Sequence, residues 1–264
     1  MTTVKIGLGQ TLVIPGEISE NLARVAAMVE EAHRQECDIV VLPECVDVGW
    51  ADLRAAKLAT AIPGETSEFL CALAKRFQIM IASGLTERDG DTVYNAAVLI
   101  DREGRILSTH RKINELDFAR KIYGVGIELR VTDTEFGKIA LNICADNFLN
   151  SLALADAQAA MGAVLMLSPS SWAVPPNYDD EATPYVEWDE PYGVIGERHG
   201  IPVVGVSNVG PIMTGEWAGW ACIGRSIATD AIGQVMVRGA YGVQASELMT
   251  VVLALPSPPS SVTV

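Results

Sequence analysis

Short runs of uninterrupted apolar residues constrain this chain more than any other feature. DIVVLPE at 38–44 is the clearest, and AVLMLSPS at 163–170 and PVVGVSNVG at 202–210 are built the same way. A short continuous run between helical segments reads as a strand buried on both faces. The first strand is VKIGLGQ at 4–10. Between it and DIVVLPE, residues 17–36 place Leu22, Val25, Ala26, Val29 and His33 near one helical face. A second helix is expected over 66–77, leading into the strand IMIASGLTE.

The rhythm then changes to hairpins. TVYNAAVLID and GRILSTHRK are joined at Arg102-Glu103-Gly104, and LRVTDTEF and IALNIC at Gly137-Lys138. Helices are expected over 150–161 and over 185–199, the second interrupted by Pro191. The stretch up to Leu255 reads as short strands with Gly and Asp turns. These elements predict one α/β domain over 1–255 with sheets of mixed direction, and PSPPSSVTV at 256–264 as a loose tail.

Composition narrows the function. Apolar residues make up 49% of the chain and charged ones 20%, enough for a sizeable core. No run of about 20 apolar residues predicts a membrane span, and MTTVKIGLGQ lacks the pattern of a secretory signal, so a cytoplasmic protein is expected. A net charge of −14 argues against nucleic acid and anionic membranes as partners. The five cysteines, Cys37, Cys45, Cys71, Cys144 and Cys222, form no CxxC pair, so neither a zinc site nor a disulfide framework is expected.

Three chemically reactive side chains each fall where a buried strand ends, the edge at which α/β sheets gather their sites. Glu44 closes VVLPE, Lys112 lies in THRKIN, and Cys144 follows IALNI and precedes a helix. Asp146, Asn147 and Asn150 are candidate helix caps, and a thiol near a helix N-terminus is expected to be acidified. Glu44, if buried, has the chemistry of a general base or acid.

Together VVLPE, HRKIN and NICADNF, with gaps of 68 and 32 residues between the reactive positions, resemble the nitrilase superfamily of carbon–nitrogen hydrolases. The resemblance extends to Tyr94-Asn95-Ala96, IPVVGVSNVG and GRSIATDAIGQV, nearly the whole chain. It implies a four-layer α-β-β-α sandwich of two mixed sheets, a Glu44–Lys112–Cys144 triad and an oxyanion held by Lys112 and the Ala145 N–H. It also implies a thioester intermediate, no metal or cofactor, and a homodimer or larger homo-oligomer. Many members carry a second glutamate after the lysine. Lys121 lies near the usual place, and Glu115, rather than Glu128, is the expected substitute.

Cys144-Ala145-Asp146 leans toward amides rather than nitriles. Trp172 opens a polar, aromatic-rich segment to Tyr192 that is expected to be a loop shaping the pocket. No lysine or arginine lies between Lys138 and Arg198, which predicts a neutral or cationic amide, unless Arg111, Arg120 or Arg130 reaches the pocket. N-carbamoyl hydrolysis, nitrilase chemistry and a non-catalytic binding protein are the alternatives. A papain-like Cys-His pair is not expected, since only His110 is close in sequence and it is read as facing away from Lys112.

Overall fold

In the computed structural model, residues 2–178 and 186–256 are described; the tail at 257–264 lies outside them. The first half runs β1 (Thr2–Gln10), α1 (Ile18–Arg34), β2 (Ile39–Val41), α2 (Ala55–Leu58), α3 (Glu65–Phe77), β3 (Met80–Asp89), β4 (Thr92–Ile100) and β5 (Ile106–Arg111). The second half runs β6 (Val131–Thr134), β7 (Gly137–Leu141), α4 (Leu152–Ala160), β8 (Leu165–Ser170), β9 (Ala173–Val174), α5 (Val186–His199) and β10 (Val203–Ser207). It closes with β11 (Val209–Pro211), β12 (Ala221–Ile223), β13 (Ile227–Thr229), β14 (Val235–Arg238) and β15 (Glu247–Leu255).

Two six-stranded mixed sheets result, ordered β15-β1-β2-β3-β4-β5 and β14-β13-β10-β8-β7-β6. The period of two along each strand divides the first sheet between two cores. Ile39 and Val41 of β2, Ala82 of β3 and Leu99 of β4 join the second sheet's Leu141, Leu167 and Val206 in the central core. Their alternates Val40, Ile81 and Val98 pack with Val25 and Val29 of α1 and Leu70 and Leu73 of α3. Helices α4 and α5 pack together, and α5 also lies against β10 and β13 of the second sheet. The layering is the expected α-β-β-α sandwich. Gly7 of β1 lets α1 approach closely, since an added Cβ would meet Ala32 of α1 at 3.3 Å, and Gly9 leaves room for Leu42 just past β2, which an added Cβ would meet at 2.9 Å.

Four local expectations are corrected. The stretch before Leu255 ends in a nine-residue strand, β15, paired antiparallel along the whole of β1 from Thr2↔Leu255 to Gln10↔Glu247. Strands β11, β12 and β9 form a small third sheet. Helix α5 runs through Pro191 instead of breaking there. The segment from Trp172 to Tyr192 is not one long loop, because β9 and the first half of α5 occupy part of it; residues 179–185 lie outside the described residues.

Candidate active site

The carboxyl ends of β2, β5 and β7 bring Glu44, Lys112 and Cys144 together in the interior. Glu44 and Lys112 are fully buried, and Cys144 is 9% exposed. Just past β2, the chain turns at Pro43 and seats the Glu44 backbone on Gly84 of β3. A Cβ on that glycine would lie 2.4 Å from the Glu44 Cα, so no larger residue fits beneath the carboxylate. The Glu44 N–H donates to the Ser170 carbonyl at 3.1 Å, which ties the site to the second sheet.

Lys112 Nζ donates to Glu44 Oε1 at 2.7 Å, and Asn95 Nδ2 donates to the same oxygen at 2.5 Å. Glu44 Oε2 is buried with no partner. Burial alone would lower the Lys112 pKa, but Glu44 and the other negative groups around the ammonium outweigh it and hold it well above the lysine range. Trp50 closes this side, its ring centroid 5.7 Å from Lys112 Nζ. Behind it Trp50 packs edge-on against Phe118 and Trp217.

Cys144 opens a short 3-10 turn, Cys144–Asn147, with a φ of +45°. A non-glycine residue in that region is strained by about 1–3 kcal/mol and persists only where its surroundings enforce it. The expected thiol acidification is absent. Burial and the Glu44 charge push the Cys144 thiol up to about 12, although Lys112 and the Ser171 N–H pull it down. The helix α4 starts only at Leu152, and none of Asp146, Asn147 and Asn150 caps it. Asn147 instead bonds Asn142 and Ser168 beneath the elbow, at 2.7 and 2.9 Å.

Glu115 is the second carboxylate of the site. It is 4% exposed, and neither oxygen has a hydrogen-bond partner. Burial pushes it up to about 7; Lys112 and the nearby Asn95 amide lower it, and Glu44 and Asp146 add to the rise. Glu128 is exposed and pairs with Arg130. A cleft of about 290 Å³ opens past Glu115 and Ala145 and is lined by Arg120, Phe148 and Asn150. Arg120 donates its Nε to the Glu115 carbonyl at 3.3 Å and has no carboxylate partner among the described residues. Arg111, by contrast, is engaged by Glu87 and Asp89. Trp172 is buried; its backbone N–H donates to Ser207 Oγ at 2.8 Å and its ring packs 5.5 Å from Trp188.

Three residues of the site make contacts that the sequence does not assign to them. Asn95 is a polar residue on the buried face of an otherwise apolar strand, a signal of polar work that sequence reading passes over easily. Asp146 is expected from the sequence as a helix cap and as part of Cys144-Ala145-Asp146, and His110 as facing away from Lys112. His110 is buried and donates from Nε2 to Asp146 Oδ2 at 2.8 Å. Positions two apart share a strand face, so His110 lies on the Lys112 side. Among the described residues, no three His, Cys, Asp or Glu side chains form a set able to hold a metal ion.

Residues 5–255 match the family described as carbon-nitrogen hydrolase. The chain belongs to the carbon–nitrogen hydrolase family. An omega-amidase of Xenopus laevis is 31% identical over 182 residues, 65% of this chain and 65% of the relative. A nitrilase of Pyrococcus abyssi is 30% identical over 203 residues, 73% of this chain and 76% of the relative. The crystal structure of a carbon–nitrogen hydrolase from Helicobacter pylori superposes with a TM-score of 0.84 at 20% identity, covering 95% of this chain and 89% of that one. No helix among the described residues is long and apolar enough to cross a membrane.

Proposed function

We propose that this protein hydrolyses a carbon–nitrogen bond of a small amide through a thioester on Cys144. The observation that carries the reading is the buried Lys112–Glu44 pair, whose free oxygen Glu44 Oε2 has no partner beside a protonated thiol. Glu44 Oε2 takes the thiol proton as Cys144 Sγ attacks the amide carbon. The oxyanion is met by Lys112 Nζ and the Ala145 N–H. The C–N bond breaks as Glu44 returns its proton to the leaving nitrogen, and ammonia or an amine departs. Water then attacks the thioester with Glu44 again as base, releasing the acid and the thiol. Glu115, with two unpartnered acceptors at the cleft, receives the substrate N–H groups and orients the amide. No step of this cycle calls on a cofactor.

A neutral amide is the first choice of substrate, because the cleft offers Glu115 and Asp117 against the single cation Arg120. Arg120 also favours a second reading, an amide with a carboxylate at its far end, which the unpaired guanidinium would grip. A panel of uncharged amides, dicarboxylic acid monoamides, N-carbamoyl amino acids and nitriles, followed by product release, tests both. Uncharged amides are expected to give the highest kcat/KM. A higher value for N-carbamoyl amino acids overturns the substrate assignment. A preference for monoamides that disappears in Arg120→Ala selects the second reading.

A further inference from the structure

Asp146 is a buried carboxylate to which the mechanism above assigns no task, and its hydrogen bonds join two catalytic segments. Its Oδ1 accepts from the N–H groups of Ile113 and Asn114, the two residues after Lys112, at 3.1 and 2.8 Å. Its Oδ2 accepts from the N–H of Ile143, the residue before Cys144, at 3.1 Å, and from His110 Nε2 at 2.8 Å. Four donors therefore meet one side chain that is fully buried. Burial would raise its pKa, but His110 and the Asn114 N–H outweigh that and hold it below the usual carboxylate range.

We propose that Asp146 and His110 form a positioning pair that fixes the Lys112 ammonium and the Cys144 elbow in one register. The reasoning is geometric. Lys112 sits just past β5 and Cys144 just past β7, strands that belong to different sheets. Without a common anchor, small slippage between the sheets would move the ammonium away from the thiol. Cys144 also holds a left-handed conformation, which needs enforcement. Asp146 supplies both by accepting simultaneously from the peptide before the nucleophile and from the two peptides after the lysine. His110, on β5, holds the carboxylate from the lysine's own strand. Neither side chain touches substrate; each acts through Lys112 and Cys144.

The inference rests on the amidase reading, so its test has one arm that needs no turnover. That arm is the rate of Cys144 alkylation by iodoacetamide at fixed pH, read by peptide mass mapping in the full chain. Asp146→Asn cannot accept all four bonds and is expected to slow alkylation at least tenfold. His110→Gln keeps the three backbone bonds and is expected to slow it about threefold. In turnover, Asp146→Asn is expected to lower kcat about 100-fold with KM within threefold, the cost of misplacement by an ångström or so. The double variant is expected to match Asp146→Asn alone, because the two side chains act as one unit. Native alkylation rates in both folded variants, or a rise in KM at unchanged kcat, overturn the proposal. If Asp146→Asn does not fold, His110→Gln decides by the same two readouts. Cys144-independent turnover would sink the amidase reading and leave the alkylation arm intact.

Discussion

Lys112→Met is expected to cost both stability and activity, and Glu44→Gln on the same background to restore only the first. Glu44 and Lys112 are fully buried, with one 2.7 Å ion pair between them. Breaking a buried pair strands the surviving charge, typically at 3–5 kcal/mol. Lys112→Met alone should therefore lower the unfolding free energy by about that amount, measured by urea denaturation. Removing both charges is far closer to neutral, so the double variant should recover most of the loss. Activity should follow a different course. Losing a donor to the oxyanion costs about 10²–10³-fold in kcat, and losing the base costs more. Stability rescued without activity separates the catalytic use of the pair from its structural one. Parallel recovery of both would show that neither Glu44 nor Lys112 takes part in catalysis and that the pair only holds the fold.

Glu115→Gln is expected to stabilise the protein at pH 8 and leave it unchanged near pH 4. The folded-state pKa is about 7, raised from an ordinary 4.5. A carboxyl whose pKa is raised on folding binds its proton more tightly in the native state. It therefore costs stability increasingly as pH climbs from about 4.5 to about 7, and the cost is complete above that. The gap corresponds to about 3 kcal/mol at pH 8. The neutral amide escapes this penalty, so its melting temperature should exceed that of the native protein by several degrees at pH 8 and converge with it in acid. The same variant should lose at least about tenfold in kcat/KM, because an amide side chain cannot offer two acceptors to the substrate. A site that sacrifices stability for function has this signature. Equal melting curves at both pH values would place the carboxylate in contact with a donor or with solvent.

What the sequence revealed follows from which physics is local. The unbroken apolar run within DIVVLPE is a property of the strand itself, so the two-sided burial of Val40 and Val41 was legible. So were the strand ends that carry Glu44, Lys112 and Cys144. The choice of Glu115 over Glu128 was harder, because residues 113–130 have no period and their path is set by contacts with the sheets. The contact that Asn95 makes was not legible in its own strand, since its partner Glu44 lies 51 residues away. The Cys144 thiol misled local reasoning: proximity to a helix predicts acidification, but the helix starts too late and burial dominates. His110 shares the face of Lys112 because strand positions two apart point the same way, and Asp146, besides accepting the Ile143 N–H at the start of its own turn, bridges to His110 and to the peptides after Lys112, partners more than 30 residues away that no local pattern shows.

The two effects of Cys144 burial work together. A thiol held at about 12 stays protonated at neutral pH, so in the proposed mechanism its attack depends on Glu44 as base. Lys112 restrains that rise.

The most direct measurement of the central claim is intact-mass analysis of the enzyme quenched in acid during steady-state turnover of a small amide. The account predicts an adduct of acyl mass, mapped to the peptide containing Cys144, released by hydroxylamine and absent in Cys144→Ala, which should also release no ammonia. Full turnover by Cys144→Ala, or an adduct mapped to Cys45, Cys71 or any other residue, would contradict it.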